Sequence, residues 1–270
     1  MGIVNRQGMP VVTGDEWSGL GYFTTLRLSK AEGAEGRSAG GHAAGASAAP
    51  YDTFNLGEHV GDEARAVAAN RERLARMLPD APLWLKQVHG VDVFDADAGP
   101  GGGSPPEADA AITSVRGRVL CIMTADCLPV VLCDLRGLVL GVAHAGWRGL
   151  AGGVLENTLA AMRARAPADS RWRAWVGPAI GQQAFEVGEE VRSAFAGPDA
   201  ASARFFVPGT RPGKWQADLT GLAEHRLKRA GVHAVQASGL CTHARTDLFY
   251  SYRRDGPTGR MATVAWLADK

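Results

Sequence analysis

The chain has 270 residues, 46% of them apolar and 21% charged, a composition ordinary for a soluble globular protein with room for a substantial core. Its formal net charge is +1, with no block of lysine or arginine. This argues against nucleic acid or an anionic membrane as the main partner and favours a small, uncharged or weakly anionic substrate. No run reaches the roughly 18 apolar residues of a membrane span, and residues 1–17 lack the apolar core of a secretory signal. The expected location is therefore the cytoplasm, where Cys121, Cys127, Cys133 and Cys241 are thiols rather than a disulfide framework.

Residues 21–27 read as a short strand, followed by a Gly/Ala/Ser-rich stretch over 31–49 that is expected to form a mobile loop. Helical spacing with arginine and glutamate on the polar side marks 62–78, and 83–88 reads as a strand running into the His89-Gly90 turn. A second mobile loop, rich in glycine and proline, is expected at 97–107. Strand-like runs follow at 110–113, 119–124, 129–133 and 138–143, and a glycine-rich turn then opens a helix at 152–165. Further on, 172–176 reads as a strand, 183–195 and 219–230 as helices, and 234–237 and 261–266 as strands. Strands mixed with helices and hairpins indicate an α/β or α+β layered sandwich around a mixed sheet, as a single domain over 1–270.

The chemistry concentrates in the hairpin-like run from Ala125-Asp126-Cys127 to Ala143-His144-Ala145-Gly146. A two-residue loop at Leu135-Arg136 would place Cys127 directly opposite His144, with Cβ atoms about 4.5–5.5 Å apart. A loop at Arg136-Gly137 would instead set Cys127 against Gly146. With His89 in Lys86-Gln87-Val88-His89-Gly90, these side chains form a two-histidine, one-cysteine set, the number of protein ligands that catalytic zinc commonly takes. A Cys–His pair or dyad without metal is the alternative reading of the same residues. Asp126 could orient an imidazole or cap the bend before Leu128.

Gly146-Trp147-Arg148-Gly149 ahead of a helix has the makings of an anion cradle, or of a tight turn with Trp147 in the core and Arg148 solvated. A second cationic set lies at Arg253-Arg254 with Arg260, and Asn55 could cap a turn. The histidine-x-glutamate and Pro-Cys-x-x-Cys pattern of zinc deaminases is absent, and seven histidines without a His-x-His pair are few for a multi-centre copper oxidase.

Three blocks, Lys86-Gln87-Val88-His89-Gly90, Thr124-Ala125-Asp126-Cys127-Leu128-Pro129-Val130 and Ala143-His144-Ala145-Gly146-Trp147-Arg148-Gly149, resemble in order the signatures of the YfiH/PgeF family. That family has been labelled polyphenol oxidase or laccase-like and later purine nucleoside phosphorylase. Supporting blocks around Asn55, Gly177-Pro178, Cys241-Thr242 and Phe249-Tyr250 to Arg260 extend the resemblance over nearly the whole chain. It implies that His89, Cys127 and His144 are catalytic and bind Zn2+, with copper a lesser possibility. It also implies Arg148, Asn55 and Arg254 as substrate- or phosphate-binding candidates.

The implied reactions are phosphorolysis of adenosine, inosine and 5′-methylthioadenosine to base and ribose 1-phosphate or its methylthio analogue, and deamination of adenosine. The implied fold is related to the catalytic domain of the cytotoxic necrotizing toxins. Here Leu26 and the 31–49 insertion interrupt a family segment, leaving Arg27 and Arg37 as competitors for one arginine position. Alternatives of other classes are a Cys–His amidohydrolase editing a peptidoglycan precursor, a zinc-stabilised interaction module and a copper-dependent polyphenol oxidase.

Overall fold

The run Leu128-Pro129-Val130-Val131-Leu132-Cys133 is apolar throughout, the pattern of a strand covered on both faces, and it lies in the middle of the largest sheet. The computed structural model describes residues 2–27, 45–99 and 103–269; Arg37, most of the loop expected at 31–49 and positions 100–102 lie outside them. The strands are β1 (Gly2–Arg6), β2 (Met9–Thr13), β3 (Leu20–Thr25), β4 (Val93–Asp95), β5 (Ala110–Thr113), β6 (Leu120–Thr124) and β7 (Leu128–Asp134). They continue with β8 (Leu140–Ala145), β9 (Trp172–Val176), β10 (Glu186–Gly188), β11 (Phe206–Pro208), β12 (Lys214–Ala217), β13 (Val232–Ala237) and β14 (Met261–Leu267). The helices are α1 (Ala64–Ala75), α2 (Trp147–Gly152), α3 (Val154–Arg163), α4 (Glu189–Ala196), α5 (Leu219–Arg229) and the single turn α6 (Tyr252–Asp255).

A six-stranded mixed sheet has the order β13-β9-β7-β8-β5-β4, with β13–β9 and β4–β5 parallel and the other pairs antiparallel. A five-stranded antiparallel sheet, β1-β2-β3-β14-β6, and a small three-stranded sheet, β10-β12-β11, complete the set. Alternation along β7 explains the layering. Val131 and Cys133 point with Trp175 into a core shared with Phe23, Ile122 and Val264 of the five-stranded sheet. Val130 and Leu132 point the other way, onto Leu155 and Leu159 of α3 and Leu222 and Leu227 of α5. Each such fully buried side chain contributes about 1.5–3 kcal/mol of transfer free energy, so a strand whose two faces both find partners is strongly held. The outcome is a sheet-rich mixed α/β fold, as the sequence pattern indicates.

Four local expectations differ from the structure. The β7–β8 register pairs Pro129, not Cys127, with His144, and Leu128 with Ala145. The connection bends at Asp134, whose carboxylate accepts from the amides of Arg136, Leu138 and Val139, and Gly137 sits at φ +66°. Cys127 therefore faces Gly146, the other register the sequence allows. The helix expected at 152–165 is two helices joined at Gly153, whose φ of +102° suits glycine.

The segment 183–195 is α-helical only from Glu189, after a 3-10 turn at Gln182–Ala184, because buried Phe185 and Val187 alternate and Glu186–Gly188 pairs with β12. Residues 83–88 make isolated bridges, Leu83 to Leu120 and Lys86 to Glu107, because the segment crosses from one large sheet toward the other.

Candidate functional site

His89, Cys127 and His144 converge at one end of the two large sheets. Their donor atoms all lie within 4.8 Å of one another, and Cys127 Sγ is 3.9 Å from His89 Nε2. The shift of register does not separate Cys127 from His144. Strand side chains alternate with period two, so a partner displaced by two positions stays on the same face as a diagonal neighbour. His89 and Asp126 both adopt left-handed backbone, φ +61° and +94°, where non-glycine residues are uncommon, and strain of this kind concentrates at functional sites. Gly146 leaves the cluster room to close: a Cβ there would lie 2.9 Å from His89 Cδ2 and 3.1 Å from Cys127 Sγ. Gly149 likewise allows close approach, since its Cβ would lie 2.7 Å from the Gly90 carbonyl oxygen.

Asp109, which the sequence reading passed over, organises two of the three residues. It precedes β5, is fully buried, and accepts the amides of Val88, His89 and Gly90 at 3.1, 3.0 and 2.7 Å. Its Oδ1 also lies 2.7 Å from His144 Nδ1, leaving Nε2 as the ring nitrogen available to the cluster. The only sequence signal was a lone carboxylate opening the apolar run Ala110-Ala111-Ile112. Asp126 does not orient an imidazole. Its carboxylate instead accepts from Thr242 Oγ1 at 2.6 Å, Ser251 Oγ at 3.0 Å and the Arg253 amide at 2.7 Å, tying the Cys127 bend to the start of α6.

The charges are mutually supporting. Burial by itself raises the Cys127 thiol, but the charge of His144 and hydrogen bonds to His144 and His89 outweigh it and bring the group down. Burial lowers His144, and the Cys127 charge with the Asp109 hydrogen bond outweighs that and raises it. Each group thus favours the charged form of the other. Asp109 is held below the usual carboxylate range because its contacts with His144, Gly90 and Val88 outweigh burial.

The cluster opens into a cavity of about 420 Å³ that His59, Gln87, Met123, Tyr252 and Arg260 also line. Gln87 is locked onto the Met123 backbone by two hydrogen bonds of 2.8 Å. The guanidinium in this cavity belongs to Arg260, not to Arg148 or Arg254. Arg148 is exposed, stacked 4.5 Å from the Trp147 ring centroid, and lines a neighbouring cavity with Arg211, Lys214 and Arg253.

Arg254 is spent on structure, donating to the carbonyls of Thr242, His243 and Phe249 and to Asp255. Asn55 is fully buried, and its side chain serves Gly57, Asp62 and the Arg260 amide. Arg27 stacks on Tyr250 and binds Asp52 away from the cavity.

The family described as multi-copper polyphenol oxidoreductase laccase matches residues 40–268. A purine nucleoside phosphorylase of Pseudomonas aeruginosa is 49% identical over 225 residues, covering 83% of this chain and 90% of the relative. The Escherichia coli protein named purine nucleoside phosphorylase YfiH is 47% identical over 226 residues, with the same coverage. This chain belongs to the YfiH family. Solved structures agree: a Neisseria meningitidis protein superposes with a TM-score of 0.84 at 41% identity, covering 96% of this chain and 99% of that one. YlmD from Geobacillus stearothermophilus gives 0.81 at 28% identity, with 98% of each chain covered.

In this YfiH-family chain the donors fit a metal. A thiolate and two imidazoles are a borderline-soft set, one imidazole is pre-oriented by a carboxylate, and the remaining side faces the cavity. Among the described residues this is the one group of three or more His, Cys, Asp or Glu donors placed to share an ion. The family's description speaks of several coppers. No helix among the described residues is long and apolar enough to cross a membrane.

Proposed function

We propose that the chain is a zinc-dependent purine nucleoside phosphorylase acting on adenosine, inosine and 5′-methylthioadenosine, with adenosine deamination at the same site. The observation that carries this reading is the His89–Cys127–His144 cluster at the wall of a 420 Å³ cavity, a volume suited to a nucleoside, in a chain close to relatives that bear the phosphorylase name. Zinc in this set would supply Lewis acidity that stabilises developing negative charge and acidifies a nucleophile. Arg260 is the cation placed to hold phosphate, and its Nη1 is fixed by the carbonyls of Thr258 and Gly259 at 2.8 and 3.0 Å. His59, outside the cluster, also lines the cavity; burial and the charges of Arg260 and Arg71 lower it, favouring the neutral ring, which can accept a proton. Arg148 remains a candidate for guiding phosphate from the neighbouring cavity.

The test is chromatography of adenosine incubated with purified, metal-quantified protein, with and without phosphate. Adenine formed only with phosphate supports phosphorolysis, and inosine formed regardless supports deamination. Unchanged adenosine with zinc-loaded protein sinks the purine reading.

One observation favours a second reading. Asp109, His144 and Cys127 form an acid–base–nucleophile chain, which suits a Cys–His amidohydrolase acting on a cell-wall precursor. In that reading the fold is related to the catalytic domain of the cytotoxic necrotizing toxins. An acyl adduct trapped on Cys127 in metal-free, active protein is its signature. A copper oxidase ranks last for want of further clustered donors among the described residues.

A further inference from the structure

Tyr252 is the most exposed large hydrophobic side chain described, at 60% of its maximum, and it stands at the reaction cavity, not on an unrelated face. An aromatic ring left in water beside a cavity is an unspent apolar surface. Its backbone, by contrast, is tightly held. Tyr252 is the first residue of α6, capped by fully buried Ser251. Ser251 Oγ and the Arg253 amide, on either side of Tyr252, both donate to Asp126 Oδ2. Asp126 is the immediate neighbour of Cys127, so one carboxylate fixes the ring's attachment relative to the cluster. Arg254 fastens the same turn from below through the carbonyls of Thr242, His243 and Phe249. Of the other cavity residues, Met123 and Ala125 add apolar surface, while His89, Cys127, His144 and Arg260 gather the polar chemistry.

We propose that Tyr252 is the base-recognition platform of this site: the flat face of a purine stacks on its ring, which holds the ribose toward the His89–Cys127–His144 cluster and Arg260. The proposal rests on the nucleoside reading and adds the residue that selects for an aromatic base. Stacking needs a ring and not the hydroxyl, because every base presents a π-face. Asp126 is then a positioning residue for the platform.

The experiment compares Tyr252→Ala, Tyr252→Phe and Tyr252→Trp with the unaltered zinc-loaded protein. Adenosine Kd is measured without phosphate by stopped-flow tryptophan fluorescence, before any deamination proceeds, and KM for adenosine and for phosphate are measured separately. Since the side chain is mostly in water, all three variants are expected to keep the melting temperature and the metal content. Tyr252→Ala is expected to weaken adenosine Kd and KM by about tenfold or more, a typical loss for one base–aromatic stack, with phosphate KM unchanged. Phe and Trp are expected to stay within about twofold. Normal turnover by the unaltered protein together with an unchanged adenosine Kd in Tyr252→Ala overturns the platform while leaving the nucleoside reading intact. If the unaltered protein neither binds nor converts adenosine, the nucleoside reading fails and takes the platform with it.

Discussion

At the scale of single residues, the cluster depends on groups whose charges are coupled. Cys127→Ala removes the only thiolate of the set, so metal content measured on purified protein should fall to background and nucleoside turnover with it. Asp109→Ala should be nearly as damaging, though Asp109 does not line the reaction cavity. It leaves the amides of Val88, His89 and Gly90 without their shared acceptor and frees buried His144, an expected cost of about 3 kcal/mol in denaturant unfolding and a metal affinity lower by about 10–100-fold in competition titration. Its folded carboxyl lies below its unfolded value of about 3.9, so the stability it contributes is present above that pH and is lost as pH falls through the lowered value. Acid unfolding followed by circular dichroism should therefore shift less with pH below about 4 in Asp109→Asn than in the unaltered protein. Because Arg260 faces the cavity and Arg148 does not, Arg260→Ala should raise the phosphate KM by about tenfold or more. Arg148→Ala should change it by less than about threefold.

At the scale of elements, the turn between β8 and α2 works through absence of side chains. Gly146→Ala would push a methyl to 2.9 Å from His89 Cδ2, so one ring must move out of the cluster. Metal affinity by competition titration should drop at least about tenfold, with about 1–3 kcal/mol lost from overpacking. This also explains the motif containing Trp147 and Arg148. Its glycines are needed so that His89, Cys127 and Gly90 can approach, a demand that a sequence displays only as glycine. The one-turn α6 shows the converse. Arg253 and Arg254 on it and Arg260 after it were legible as a cationic group, but which of them meets the cavity depends on the surrounding carbonyls, and those of Thr242, His243 and Phe249 consume Arg254.

At the scale of the whole molecule, the cluster joins segments that are far apart in the chain. His89 arrives on the connector between the two large sheets, Cys127 on the bend between β6 and β7, and His144 at the end of β8. A bound ion would cross-link them, so chelation of the zinc-loaded protein should lower its melting temperature by at least about 2–4 °C, in step with the lost metal, and zinc should restore it.

The sequence by itself determined the parts that rest on local patterning: the buried strands, the β7–β8 hairpin and the three short motifs carrying His89, Cys127 and His144. The hairpin register turned on local hydrogen bonds from the turn amides to Asp134, but tertiary structure alone brought His89 to Cys127 and His144. It also decided the choice of Arg260 over Arg148 and Arg254 as the cavity's guanidinium, and the role of Asp109. Those outcomes are set by contacts between residues distant along the chain, where burial and hydrogen-bond satisfaction choose among side chains of equal chemistry.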